Sequence, residues 1–237
     1  MSTTFRISPK NAPACENLHQ MNDLIGRARY KLWRLFDRWN ERRYGIKSSG
    51  NIAPEELGFP TGDEYRGGLY RPSSWSVLRH VFRQLRVSGD DVFVDYGSGM
   101  GRVLIIAGRE PFKRVIGVEM SEQLNDVARE NLDRNRDRLR CQEVDVISAD
   151  ATQWQVPDDL TIAYFYCPFP PHVFEEVLQQ LFASLERRPR PLRLVYFFMS
   201  DPDRELLKAT GRATELGFKR PLHLRGQLRE LWMFELR

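Results

Sequence analysis

The sequence predicts an α/β fold, in which a mostly parallel sheet carries helices on both faces behind an N-terminal helical extension. Short apolar runs typical of buried strands alternate with helix-periodic segments from residue 72 onward. The first such run, residues 92–94, leads into a glycine-rich turn and then into a second apolar segment, the order of a strand, a turn and a helix. At 237 residues, one domain of this kind plus an extension is the natural organisation.

Composition excludes several classes of protein. The net charge of +4 and the pI of about 9.0 permit an acidic or nucleic-acid partner without demanding one. Three isolated cysteines (Cys15, Cys141 and Cys167) argue for a reducing compartment and against a disulfide framework or a zinc site. No apolar run reaches about 18 residues, and residues 1–20 lack the apolar core of a signal peptide. We therefore expect a cytoplasmic protein without a membrane span.

Residues 1–71 are predicted to be an arm, a basic amphipathic helix and a linker or lid, ahead of a domain at 72–237. The helix begins near Asp23 and is expected to end at Gly45. Arginines fill much of the polar surface of this helix. The apolar positions share one face: Leu24, Ile25, Ala28, Leu32, Leu35, Phe36 and Trp39. The favoured interpretation docks this helix on the domain with its charged face in solvent; the alternative is a surface for nucleic acid, an acidic protein or a membrane.

The linker at residues 45–71 is rich in Gly, Pro, Ser and acids. A connection this long is either a binding loop or a plain surface linker. Tyr65, Tyr70 and Arg71 are its plausible ligand contacts.

The glycine turn has the pattern Asp95-x-Gly97-Ser98-Gly99-x-Gly101. Glycines let the chain turn tightly and let a ligand approach bare backbone. A dinucleotide fingerprint needs Gly or Ala three positions after Gly99, where this chain has Arg102, so a nicotinamide oxidoreductase is disfavoured. An acid beside the turn suits a cationic ligand better than a phosphate. A purely structural turn is the alternative.

Two further acids follow the next two predicted strands. Glu119 lies 24 positions after Asp95 (119 minus 95), near the separation at which an acid meets ribose hydroxyls; the alternative is that it serves only the helix that Ser121 caps. Asp150 and Ala151 follow the third strand, where a carboxylate can accept the adenine amine. Trp154 is expected either to cover the adenine or to belong to the core.

From about Trp75 to the end, this series resembles the class I S-adenosylmethionine (SAM) dependent methyltransferases. The resemblance implies a Rossmann-like, seven-stranded, mostly parallel sheet and SAM as the cofactor. It assigns Asp95 and the turn at 97–101, with Gly97, Ser98, Gly99 and Gly101, to the amino acid part of SAM. It assigns Glu119 to the ribose and Asp150 with Ala151 to the adenine. Residues 94–99 and 117–119 further resemble bacterial methyltransferases that are distantly similar to the non-SET histone-lysine methyltransferases.

The acceptor side is predicted beyond the fourth strand, at Tyr166, Cys167, Pro168 and Phe169. Many methyltransferases of nitrogen atoms carry Asn-Pro-Pro-Tyr or Asn-Pro-Pro-Phe there. Cys167 replaces that asparagine, whose amide oxygen orients the target nitrogen. Either amino-group methylation is called into question, or another residue orients the nitrogen. We expect these four residues and Tyr70 to line the acceptor pocket, with Tyr166 and His172 as the catalytic candidates. The alternative for His172, which starts a helix, is a plain surface residue.

The predicted function is methyl transfer from SAM to an unidentified acceptor, with a protein side chain or a small molecule favoured. Two alternatives remain open at this point: a SAM-binding module without turnover, and an RNA methyltransferase that uses the basic N-terminal helix.

Overall fold

The computed structural model describes residues 24–50, 52, 54–57, 70, 72–166, 169–217 and 231–237. Within them, seven strands form one sheet in the order β3-β2-β1-β4-β5-β7-β6. The first five strands are parallel, whereas β7 runs antiparallel to both β5 and β6. The strands are β1 Val92–Tyr96, β2 Arg114–Glu119, β3 Glu143–Ser148, β4 Ile162–Tyr166, β5 Leu192–Phe197, β6 Ala213–Glu215 and β7 Leu231–Leu236. The predicted seven-stranded, mostly parallel sheet is confirmed.

Helices lie on both faces of the sheet: α1 Leu24–Tyr44, α2 Trp75–Leu85, α3 Arg102–Ala107, α4 Glu122–Asp133, α5 Pro171–Arg187 and α6 Asp201–Ala209. Because successive strand side chains point to opposite faces, β1 contributes to two apolar clusters. Phe93 packs in the cluster that contains α2 and α3, and Tyr96 packs in the cluster that contains α5. Asp95 lies two residues after Phe93 in the strand, so its side chain points to the same face of the sheet, the one that carries α2 and α3.

The helix boundaries follow local capping chemistry. Ser121 begins α4 as predicted, since its Oγ accepts a hydrogen bond from the Leu124 amide at 3.4 Å. Helix α6 begins at Asp201, because the Ser200 hydroxyl accepts from the Asp203 amide at 3.2 Å. Helix α2 begins at Trp75, since Ser74 keeps an extended backbone.

The favoured interpretation of α1 is wrong about which face docks. Leu32, Leu35 and Trp39, which were expected to pack on the domain, are 66%, 59% and 51% exposed. The buried residues Asp37, Asn40 and Tyr44 instead form the docked face, at the helical spacing i, i+3 and i+7. Polar residues can dock here because the domain supplies a buried cation for the acids and polar groups for the backbone.

Asparagines of α4 and of the turn after it hold the C-terminal end of α1. The Asn135 side chain donates to the Tyr44 carbonyl at 2.9 Å, and the Asn131 amide exchanges two hydrogen bonds with the Lys47 backbone. The Tyr44 ring stacks on Trp75 of α2 with 4.9 Å between centroids. Helix α1 ends as predicted at Gly45, which adopts the left-handed conformation. No helix within the described ranges has both the length and the apolar composition to cross a bilayer.

Candidate functional site

The glycine turn follows the carboxyl end of β1, the edge at which open α/β sheets bind ligands. Gly97, Gly99 and Gly101 have φ angles of +78°, +53° and +76°, which side-chain-bearing residues rarely adopt. The amides of Gly97 and Ser98 donate to the Val118 carbonyl at 2.8 and 3.2 Å. These bonds fix the turn to the neighbouring strand β2, so its backbone is held in place before any ligand arrives.

Tyr70 of the predicted lid lies directly on this turn. A Cβ atom placed on Gly99 would be 2.3 Å from the Tyr70 Cε2 atom. The Tyr70 hydroxyl donates to the Ser48 carbonyl at 2.8 Å, and its backbone pairs with Ile52. The ring is therefore fixed from two sides as a wall of the turn. Tyr65 and Arg71 lie outside the described residues.

Gly99→Ala is expected to weaken ligand binding at the turn beyond its backbone penalty. Both the left-handed φ and the 2.3 Å approach oppose a methyl group, so the Tyr70 ring must move. Gly211→Ala is the matched control, because Gly211 has a φ of +64° and a methyl group added there would have no atom within 4 Å. Thermal melts and calorimetry with S-adenosylhomocysteine measure both effects. We expect both variants to lose about 1–2 kcal/mol of stability, and Gly99→Ala alone to lose affinity. Equal affinity in the two variants would contradict the role of Tyr70.

Two carboxyl groups lie beside the turn, the buried Asp95 and the half-buried Glu119. Asp95 is 2% exposed, and its Oδ2 atom has no hydrogen-bond partner among the described residues. Burial raises the pKa of Asp95 well above its ordinary value, and the nearby Glu119 raises it further. Such a carboxyl group is poised for a donor or a cation that arrives with a ligand.

Glu119 is already engaged by the backbone. Its Oε2 accepts from the Gly99 amide at 3.0 Å and its Oε1 from the Ser121 amide at 2.9 Å. Burial raises the pKa of Glu119, and these backbone donors oppose the rise. Each carboxylate oxygen has a further lone pair, so Glu119 can brace the turn and still accept a ligand hydroxyl.

Asp150 and Ala151 follow the end of β3, next to β2. The Asp150 Oδ1 atom accepts from the Thr152 amide at 2.9 Å and from its hydroxyl at 2.7 Å, so this oxygen shapes the turn. Ala151 is buried, and Trp154 lies edge-on to Tyr96 with 6.1 Å between centroids. Asp95, Glu119 and Asp150 thus stand at the carboxyl edge of three adjacent strands, as the sequence predicted.

The predicted acceptor residues are described only in part, since Cys167 and Pro168 lie outside the described residues. Tyr166 is half-buried at the end of β4 and packs against Phe197 and Phe198. Phe169 lies edge-on to Phe165, and His172 is exposed in the first turn of α5. No group of three metal-binding side chains occurs within the described ranges.

Arg102 is the residue of this region whose role sequence reasoning missed. It is 2% exposed and makes six hydrogen bonds, including ion pairs with Asp37 at 2.7 Å and Glu41 at 2.9 Å. It also donates to both the hydroxyl and the carbonyl of Ser48, the same carbonyl that Tyr70 reaches. The signal was an arginine that opens an otherwise apolar helix, RVLIIA, directly after the glycine turn.

A family of known proteins matches the part of the chain that carries this site. A family model described as "Histone methylation protein DOT1" matches residues 66–153, which contain the glycine turn, Glu119 and Asp150. The seven-stranded sheet is also the one that the resemblance to methyltransferases implies. The match covers 88 of the 237 residues (66 to 153), and this part of the chain is similar to the class I methyltransferase superfamily.

Two curated relatives match this chain over short stretches. A protein-lysine N-methyltransferase from Saccharolobus islandicus (strain REY15A) is 33% identical over 67 residues, 28% of this chain and 42% of that protein. An H3 lysine-79 specific histone-lysine N-methyltransferase from Drosophila melanogaster is 34% identical over 55 residues, 23% of this chain and 3% of that protein. The chain thus spans less than half the length of either relative.

One solved structure shows how far the overall likeness extends. An RNA methyltransferase from Salinibacter ruber, in complex with S-adenosyl-L-homocysteine, aligns with a TM-score of 0.47 and 18% identity. The alignment covers 70% of this chain and 92% of that one.

Proposed function

We propose that the chain is a SAM-dependent methyltransferase whose cofactor site is the glycine turn with Asp95, Glu119 and Asp150. The observation that carries the proposal is the Asp95 carboxyl group, which is buried beside the turn with one oxygen unpartnered among the described residues. A buried carboxyl group without a partner is unfavourable, so a ligand that brings a positive charge and N–H donors would relieve it. The ammonium group of SAM fits this requirement.

The remaining residues fit the other parts of SAM in the order of the strands. The backbone at Gly97, Ser98, Gly99 and Gly101 would face the methionyl tail, Glu119 would accept from the ribose hydroxyls, and Asp150 with Ala151 would meet the adenine. When bound, SAM supplies a methyl group on a positively charged sulfur. The chain's own part is to position this group and to exclude water. The fixed Tyr70 ring serves both tasks at Gly99.

We further propose that the acceptor is the amino group of a protein lysine. Both relatives described above are named lysine methyltransferases, and they are 34% and 33% identical to this chain over 55 and 67 residues. Tyr166 and Phe169, at the carboxyl end of β4, would line the acceptor side together with Cys167 and Pro168. His172 remains a predicted base, and its side chain is exposed in the first turn of α5.

The first test of this function is binding. Calorimetry of the full chain with S-adenosylhomocysteine is expected to give a saturable signal, whereas NAD gives none. A signal with NAD alone would overturn the cofactor assignment.

The second test is transfer. Incubation with tritiated SAM and a cell extract should label protein, and acid hydrolysis of that protein should release labelled methyl-lysine. Label that resists protease and disappears with ribonuclease would instead establish an RNA acceptor. Binding of S-adenosylhomocysteine without any labelled acceptor would instead indicate a SAM-binding module without turnover.

A further inference from the structure

Three guanidinium groups converge on the ring of Tyr44 at the end of α1. The Cζ atoms of Arg109, Arg138 and Arg43 lie 4.9, 5.7 and 6.0 Å from its centroid. Arg138 also donates to the Arg43 carbonyl at 2.8 Å, which holds its side chain against the helix end. Three cations are thus gathered on one side of the molecule, although like charges repel one another.

These three arginines differ from others on the same surface. Among the described residues, none of the three has a carboxylate within ion-pair distance, whereas Arg134 pairs with Glu130 and Arg136 with Asp133. The acids of α1 itself do not compensate the cluster, because Asp37 and Glu41 both face Arg102. An unneutralised cluster of guanidinium groups is a natural phosphate site, since each planar group can donate two parallel hydrogen bonds to an anion.

Exposed aromatic rings continue this surface along α1. Phe36 and Trp39 stack with 6.1 Å between centroids, and both are exposed. The Arg43 guanidinium lies over the Trp39 ring at 5.1 Å, which links the rings to the arginine cluster. Aromatic rings interleaved with cations are typical of single-strand nucleic-acid surfaces, where bases stack and phosphates are neutralised.

The arginine cluster lies on the edge of the sheet opposite the glycine turn. Arg109 follows α3 and leads toward the amino end of β2, and Arg138 leads toward the amino end of β3. Both connections are tied together, since the amides of Arg140 and Cys141 donate to the Gly108 carbonyl. A ligand here would therefore occupy a site separate from the cofactor turn at the carboxyl edge.

We propose that the surface formed by Phe36, Trp39, Arg43, Arg109 and Arg138 around Tyr44 binds single-stranded nucleic acid. The guanidinium groups take phosphates, and the two exposed rings stack on bases. A carboxylate-rich protein or a lipid headgroup would satisfy the arginines but offers no flat ring for Phe36 and Trp39. The site is independent of the proposed transfer of methyl groups.

Fluorescence anisotropy of the full chain with a labelled mixed-sequence 20-mer of single-stranded RNA or DNA tests this proposal. The variant R43Q/R109Q/R138Q is expected to lose at least about tenfold in affinity, and its salt slope should fall by about 2 because each single-strand phosphate contact contributes about 0.7. The control R134Q/R136Q/R187Q removes the same charge from arginines that are paired with acids, and should change affinity far less. Trp39→Ala should weaken binding about tenfold with an unchanged salt slope, as loss of stacking requires.

Four outcomes would overturn the proposal. The first is equal loss in the control variant, which would mean diffuse charge attraction. The second is an unchanged affinity in Trp39→Ala combined with full competition by polyglutamate, which would indicate an acidic protein. The third is binding to phosphatidylserine vesicles without binding to the oligonucleotide, which would indicate a membrane. The fourth is the absence of binding to all three probes. Melting curves check that each variant is folded, and unchanged S-adenosylhomocysteine affinity would separate this surface from the cofactor site.

Discussion

Asp95→Asn is expected to raise the melting temperature of the ligand-free protein while weakening S-adenosylhomocysteine binding about a hundredfold or more. In the ligand-free state Asp95 is a buried carboxyl group next to the half-buried carboxyl group of Glu119, and the Oδ2 atom of Asp95 has no partner among the described residues. An amide of nearly the same shape removes the unfavourable charge. The same change removes the anion that we propose binds the ligand ammonium, and charge-assisted hydrogen bonds are the strong ones.

The raised pKa of Asp95 also predicts how the stability of the ligand-free protein depends on pH. A carboxyl group with a raised pKa in the folded state holds its proton longer than it does in the unfolded chain. Its contribution to stability is therefore fully present below the unfolded value of 3.8 and is lost as pH rises toward the folded value. We expect the ligand-free wild type to lose stability across this window, and Asp95→Asn to lose less.

Asp203→Asn is the matched control for this experiment. Asp203 is also 2% exposed, also has one oxygen unpartnered within the described ranges, and also has a pKa raised by burial, but it lies in α6 against Tyr196. The Asp203→Asn substitution should leave the affinity for S-adenosylhomocysteine unchanged. Melting curves from pH 4 to pH 8 and calorimetry measure both quantities. Wild-type affinity in Asp95→Asn would remove Asp95 from the site, whatever its effect on stability.

The parts of the fold and site that the sequence predicted are those encoded within a few residues. The run 92–94, the glycines at alternate positions and the cap Ser121 each carry their signal locally, because strand periodicity, positive φ and N-capping are local properties. Order along the chain then placed Asp95, Glu119 and Asp150 at one edge, since parallel strands that alternate with helices all end on the same side.

The docking of α1 could not be predicted in this way. Residues 37, 40, 41 and 44 follow the same helical spacing as the apolar face, but they are polar apart from Tyr44. Such residues form a docked face only if the domain supplies partners, and Arg102 lies 65 positions beyond Asp37 in the chain. Periodicity contains no information about a pairing at that separation. Apolar character alone therefore selected the wrong face.

Arg102→Met is expected to destabilise the protein by about 3–5 kcal/mol and to release the C-terminal half of α1. The substitution leaves Asp37 and Glu41 facing a buried site without their cation. Burial already raises the pKa of Asp37 to about 6 despite the Arg102 guanidinium, so loss of that cation should raise it further. Hydrogen exchange of residues 37–50 should accelerate. Arg102→Lys keeps the charge but not the planar fork, and should recover only part of the loss.

Combining substitutions separates the stability of this network from its effect on the cofactor turn. Replacing all three charges, as in D37L/E41M/R102M, removes the buried ions together and should restore most of the lost stability. It does not restore the hydrogen bonds from Arg102 to Ser48, whose carbonyl also anchors Tyr70 over Gly99. Glu41, which the triple variant also replaces, accepts hydrogen bonds from the Ser48 amide and hydroxyl. If Arg102 and Glu41 together position Tyr70 through Ser48, the triple variant will melt near the wild type yet bind S-adenosylhomocysteine about tenfold more weakly, roughly 1.4 kcal/mol. Full recovery of affinity together with stability would show that Arg102 acts on stability alone.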